Sequence, residues 1–192
     1  MSRPPLAREK ILAAARQIVE RDGAGALTFD ELVRESGITR GGITYHFPTK
    51  EELLRGLLEA DFIKWDASEA ALTPTDCDPE TARLLGFIRS LTAQDESHRR
   101  FLCGMLSAAT LDPSLMDPCR QELRERLGRK QWTDRDLRLH LVHLAAEGLM
   151  WQELFQMYSM PGPARARLVA LMEELARQWG TGRAPKKIAK EA

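Results

Sequence analysis

An all-α fold is predicted by three observations. Apolar residues recur at helical spacing in every long segment, no segment alternates with period two long enough to make a strand, and turn residues punctuate the chain between those segments. The composition agrees: 192 residues, 43% apolar and 29% charged, are ordinary for a globular protein with a real core.

The elements follow in order. Leu6 to about Asp22 is a helix with Ile11, Leu12, Ala15, Ile18 and Val19 as its apolar stripe, ended by Gly23 to Gly25. Thr28 then stands before an amphipathic run with Glu31 three residues on, the capping-box arrangement for a helix start. Phe29, Leu32 and Val33 share one face of that short helix, and Ser36-Gly37 ends it, because Gly takes the left-handed exit at no steric cost. Ile38 is apolar after the turn, and Thr39 can cap a second short helix whose Ile43 packs back on Leu32 and Val33. Two short helices joined by a Gly turn describe a helix-turn-helix.

The second helix is chemically odd for a structural one. Its residues 39–46 (Thr, Arg, Gly, Gly, Ile, Thr, Tyr, His) have low helix propensity. They offer a cation, hydroxyls, a phenol and an imidazole, with no acid among them. Small residues let a backbone approach a groove floor, and Arg40 can give two donors to a guanine edge. Thr44 can meet a thymine methyl or a base edge, while Tyr45 and His46 can hold phosphates. Phe47-Pro48 closes the helix. Thr49 caps the next one with Glu52 at its third position, where Lys50 and free backbone amides can hold a phosphate. The joint order points to a reader of double-stranded DNA.

Residues 8 to 54 resemble the N-terminal domain of the TetR/AcrR-type transcriptional regulators. The shared signature is Thr28-Phe-Asp-Glu-Leu, then Gly37-Ile-Thr-Arg-Gly, then Tyr45-His-Phe-Pro-Thr-Lys-Glu-Glu-Leu-Leu. The resemblance implies that Thr39, Arg40, Gly42 and Thr44 lie where family members read bases. It places Thr28, Tyr45, His46 and Lys50 where they contact the DNA backbone. Two positions depart from the commonest pattern: family members usually carry a larger residue at the place of Gly42 and often an aromatic at that of Thr44.

Lys50 to roughly Ala70 is a long helix carrying Leu53, Leu54, Leu57, Leu58, Phe62 and Trp65, and residues 73–79 have turn chemistry throughout. Further helices are expected near 79–93, 97–110, 113–128, 134–158 and 164–180. Three helices in the head and six behind match the TetR-like layout. The expected division is a DNA-binding domain over 1–50, a ligand-binding and dimerisation domain over 51–180, and a basic tail over 181–192, taken as disordered.

The helix from Asp134 is apolar on two sides. One stripe runs through Leu137, Leu141, Leu144, Gly148, Trp151 and Phe155, the other through Leu139, Val142, Ala146, Leu149 and Leu154. A helix with two apolar faces is either central to its own subunit or shared with a second one. The last helix repeats the theme with Leu168, Leu171, Met172, Leu175 and Trp179. The resemblance implies a homodimer through the last two helices, so Leu141, Leu149, Leu168, Leu171 and Leu175 are the expected interface. A pair of recognition helices about 34–36 Å apart reads a palindrome. Candidate residues for an apolar ligand pocket in the body are Phe62, Trp65, Ile88, Phe101, Met105, Trp151 and Phe155, since flexible Met and flat aromatics suit a loose site.

The net charge is zero, but it is unevenly placed. Residues 1–50 hold eight Lys/Arg against six Asp/Glu, residues 51–180 sixteen against twenty-one, and residues 181–192 four against one. A mildly positive head on an acidic body is compatible with DNA binding. Three widely spaced cysteines, Cys77, Cys103 and Cys119, argue against a disulfide framework, and Cys103 is expected to be a small core residue. No run of about 18 apolar residues occurs, and the first residues lack an apolar signal core, so the expected place is the cytoplasm, with no membrane partner.

His140, His143 and Glu147 have a spacing that can ligate a metal, but histidines on buried helices are mostly structural, and no metal is expected. No nucleophile context, phosphate loop or catalytic carboxylate pair stands out, so neither an enzyme nor a cofactor is expected. The function expected is a dimeric repressor released from a palindromic operator by a small apolar or amphipathic ligand. The alternatives are a helical ligand-binding protein and a regulator without small-molecule control.

Overall fold

The computed structural model describes residues 7–181; the first residues and the basic tail from 182 onward lie outside the described residues. Among the described residues there are nine α-helices and no strand. They are α1 (Ala7–Asp22), α2 (Phe29–Ser36), α3 (Arg40–His46), α4 (Lys50–Leu72), α5 (Pro79–Thr92), α6 (Glu96–Leu111), α7 (Asp117–Gly128), α8 (Asp134–Leu154) and α9 (Gly162–Gly180). Single 3-10 turns sit at Ala24–Ala26 and Pro113–Met116. Among the described residues no helix is long and apolar enough to cross a membrane.

Local chemistry explains most helix starts. The Glu31 amide donates to the Thr28 hydroxyl, and the Gly42 amide to that of Thr39, each at 3.2 Å. Asp78 and Asp95 cap α5 and α6 in the same way, and Thr133 with Asp136 forms a full capping box at α8. Gly37 ends α2 in the left-handed conformation, φ 68°, which an L side chain would resist.

Two compact units emerge. Within the described residues the first takes in everything up to Lys64 together with Asp95–Gly128, and the second Trp65–Gln94 together with everything from Arg129. In the first unit Ile11, Ile18 and Val19 of α1 are buried with Leu32, Ile43, Leu53, Leu57, Phe101 and Met105. Helix α6 packs on α1 through Gly104, where a Cβ would stand 2.6 Å from Val19 Cγ1, so only glycine allows that approach. The helix-turn-helix is therefore packed in one unit with α6. In the second unit α5, α8 and α9 share a core of Leu85, Ile88, Leu139, Val142, Leu149 and Met172. Gly86 of α5 lies so close to the end of α4 that a Cβ would come within 2.9 Å of the Glu69 carbonyl.

Two expectations need correcting. Helix α8 ends at Leu154, four residues early: Phe155 leaves helical geometry and Gln156 turns left-handed at φ 51°, ahead of Pro161 and Pro163. Cys103 is exposed, because α6 buries the face through Phe101, Gly104, Met105 and Ala108 and turns Cys103 outward. None of the three cysteines is in a disulfide. His143 is buried and stacked on Phe87 at 4.2 Å, with Glu147 3.4 Å from its Nε2, while the His140 ring stands edge-on to Trp132.

Candidate nucleic-acid interface

Helix α3 is held by one buried anchor, Ile43, and by its Thr39 cap; Arg40 and Tyr45 are exposed, and Thr44 and His46 are half-buried. Tyr45 is 83% exposed, an arrangement no core contact explains, and its ring meets that of His46 edge-on at 5.2 Å. Arg40, the first residue of α3, donates from Nη1 to Asp30 Oδ1 at 2.7 Å, and its guanidinium sits 5.6 Å from the centre of the Phe29 ring. Among the described residues Lys50 reaches only the Gly25 carbonyl, at 3.5 Å, a weak tie that a phosphate would outcompete. Leu27, Thr28, Asp30, Arg40 and Lys50 border one shallow cleft, so the two cations stand on the same face of the head.

The hydroxyls divide by what they already do. Thr28 and Thr39 accept from backbone amides, which leaves each O–H proton to donate to a phosphate or base. Thr44 instead donates to the Arg40 and Gly41 carbonyls, at 3.0 and 3.2 Å, so its methyl and its oxygen lone pairs are what it can offer DNA. The eight expected DNA contacts thus lie on α3 and at the starts of α2 and α4.

The twin glycines have different reasons. A Cβ on Gly42 would stand 2.9 Å from Ile38 Cγ2, so Gly42 serves the packing of α3 on its own turn. A Cβ on Gly41 would meet nothing within 4 Å. Gly41, which sequence reasoning did not single out, is the residue whose bareness no contact inside the protein demands. Gly41→Ala is accordingly expected to raise stability by about 0.5–1 kcal/mol in urea unfolding.

Comparison with known proteins fits this geometry. The family described as "Bacterial regulatory proteins, tetR family" matches residues 11–57, covering α1 to the start of α4, and the "Tetracyclin repressor-like, C-terminal domain" matches residues 81–177. The chain belongs to the TetR family of bacterial regulators. Over 58 residues it is 36% identical to the HTH-type transcriptional regulator QacR of Staphylococcus aureus, a match covering 30% of this chain and 31% of QacR. LmrA of Bacillus subtilis, also an HTH-type transcriptional regulator, is 26% identical over 123 residues, covering 62% of this chain and 65% of LmrA. The chain thus spans about a third of the first relative and just under two thirds of the second.

Among solved structures, a transcriptional regulator from Rhodococcus sp. Rha1 superposes with a TM-score of 0.66 at 20% identity, covering 94% of this chain and 100% of that one. The multidrug binding protein EbrR, complexed with imidazole, gives 0.61 at 20% identity, covering 95% and 98%. At such identity these two share the fold.

The TetR-type body places the remaining expected residues as follows. Phe62, Phe101 and Met105 belong to the first unit, and Phe101 and Met105 are core there, Phe101 with no exposed surface. Ile88 is core in the second unit, Trp65 packs against that core, and Trp151 and Phe155 are exposed with their rings stacked at 5.8 Å. Of the five leucines expected at an interface, Leu141 and Leu171 are exposed, and Leu168 and Leu175 are half-buried. Leu149 corrects the expectation: at 5% exposure it belongs to its own chain's core and offers a partner almost nothing. Leu137 and Leu144 stand outside instead, on the same stripe of α8 as Leu141 and Trp151.

Proposed function

We propose that this TetR-family regulator is a homodimeric repressor that holds a palindromic operator through two copies of α3. A small apolar or amphipathic molecule bound by the body releases it. The observation that carries the reading is the exposed face of α3: Arg40, Gly41 and Tyr45 stand outside the core while Thr28, Thr39 and Lys50 keep donors for phosphates. Residues 1–50 do the reading in this scheme, and residues 51–180 bind the ligand and dimerise, in the cytoplasm where the operator is. The exposed α8 stripe of Leu137, Leu141, Leu144 and Trp151 supports the dimer, since apolar residues grouped on one helix face suit an interaction surface.

Release is a two-state process. The unliganded dimer holds its heads at operator spacing, and the ligand favours a state in which α4, continuous from Lys50 to Leu72, has moved them apart. Shifting such an equilibrium from 1:99 to 99:1 needs a ligand about 10⁴-fold tighter on the released state. A regulator with no small ligand is the second reading, favoured by the burial of Phe101, Met105 and Ile88 in the two cores. Thermal shift against a metabolite and drug panel separates the two. Ethidium is a sensible first probe, because EbrR has been crystallised with it; no stabilisation by any compound would favour the second reading.

Mobility shift on the DNA flanking the protein's own gene tests the central claim. Arg40→Ala is expected to cost about 1–3 kcal/mol and to relax preference at one base pair. Lys50→Ala is expected to weaken binding to every duplex alike and flatten the salt dependence by about one unit of slope. An unaltered slope would remove Lys50 from the phosphate contacts.

A further inference from the structure

Asp30 is hard to explain as ordinary surface. It sits in the first turn of α2 with a side chain 83% exposed, and it puts a carboxylate beside Arg40 on the face that the proposed function brings against a polyanion. A pair this exposed adds little stability. The other structural duty, an acid at a helix N-terminus, is already met by Glu31 in the same turn and by the Thr28 cap. Stability therefore leaves the carboxylate unexplained.

Its geometry suggests a use. Asp30 accepts a hydrogen bond from Arg40 Nη1 alone and leaves the other N–H groups of the guanidinium outside that bond. The Arg40 guanidinium also lies over Phe29, itself packed against the first core and so a firm platform. Tied to a carboxylate and resting on a ring, a long side chain samples fewer orientations before DNA arrives.

We propose that Asp30 is a positioning residue for base reading. It holds Arg40 in one orientation, so that the guanidinium meets a base edge instead of the nearest phosphate. This rests on the DNA reading given above and assigns that site a second-tier selector. Its charge acts in the same sense, weakening attraction to any duplex that does not repay the approach with a base contact. Without Asp30, Arg40 becomes one more phosphate-binding cation: general affinity rises while discrimination falls. Damage to the fold of α2 would lower both together.

The test is selection from a library of random duplex DNA by the full-length wild type, Asp30→Asn, Arg40→Ala and the double variant, with affinity for unselected duplex measured at several salt concentrations. In Asp30→Asn the preference at one base pair should fall by up to about fivefold, the most that an exposed pair can bias, at the pair that Arg40→Ala also relaxes. Affinity for unselected duplex should rise and the other positions should hold. In the Arg40→Ala background Asp30→Asn should change no base preference, since Asp30 acts through Arg40. Asp30→Ser, which removes the charge by another route, should match Asp30→Asn. Wild-type selectivity in Asp30→Asn, or relaxation at every position at once, would overturn the positioning role and leave the DNA reading standing. A wild type that enriches no sequence would overturn the DNA reading and this inference with it.

Discussion

Asp61→Ala is expected to destabilise the unit formed by the head and α6 by about 3 kcal/mol, the lower end for breaking a buried ion pair. Arg16 of α1 donates to Asp61 of α4 at 2.6 Å, with side-chain exposures of 19% and 9%. The same guanidinium bonds Glu20 at 2.7 Å, stands 3.1 Å from Nδ1 of His98 on α6, and lies over the Phe101 ring at 4.2 Å. Removing Asp61 leaves a half-buried cation with Glu20 as its remaining carboxylate, which is why the low end of the range applies. Replacing the pair together, Arg16→Met with Asp61→Leu, is expected to recover most of the loss, because the penalty lies in the orphaned charge. Urea unfolding followed by circular dichroism measures both; a double variant as unstable as the single one would show that the pair itself holds the three helices.

The cluster also sets a direction with pH. Burial pushes His98 below its ordinary value of 6.5, the Arg16 charge adds to this, and Asp61 opposes it. Glu20 and Asp95, the other acids near the ring, also oppose it. The unfolded chain therefore binds a proton that the folded one refuses. Stability is complete above about pH 6.5 and declines as pH falls from there towards the depressed folded value. Asp61→Ala removes an opposing charge and should deepen that acid loss.

Leu141→Glu combined with Leu171→Glu is expected to give monomers by sedimentation and to weaken binding to a palindromic duplex by about a hundredfold or more, the avidity of two linked heads. Both leucines are exposed in the single chain, at 59% and 39%, so the substitutions leave each protomer's core intact. That choice matters. Leu149 is core and Leu175 packs against it, and a glutamate at either would confuse unfolding with dissociation. Unchanged thermal stability of the isolated protomer, together with loss of the dimer, is the expected signature. A dimer that survives both glutamates would place the interface on another surface.

Much of the head was legible because its signals are local. Thr28 and Thr39 sit where a side-chain oxygen reaches an amide three residues on, and both bonds are present. Glycine at 37 announced the turn, and the apolar spacing of α1 named its buried face. Cys103 was misjudged for the opposite reason. Its neighbours are apolar on both sides, and the buried face of α6 was fixed by where Gly104 meets Val19 on another helix. Nothing local separates Gly41 from Gly42; only the fold puts Ile38 against one of them.

What the sequence determined by itself is the order and approximate extent of the helices and the chemistry that α3 offers, because caps, turns and periodicity act between near neighbours. Only the tertiary structure decided which of the two apolar stripes of α8 is buried in its own chain and which stays outside. Hydrophobic periodicity says that a face must be covered, never by what. It likewise decided that Arg16, Asp61 and His98, 45 and 82 residues apart in pairs, would close on one another, since no local rule sees charges that far along the chain.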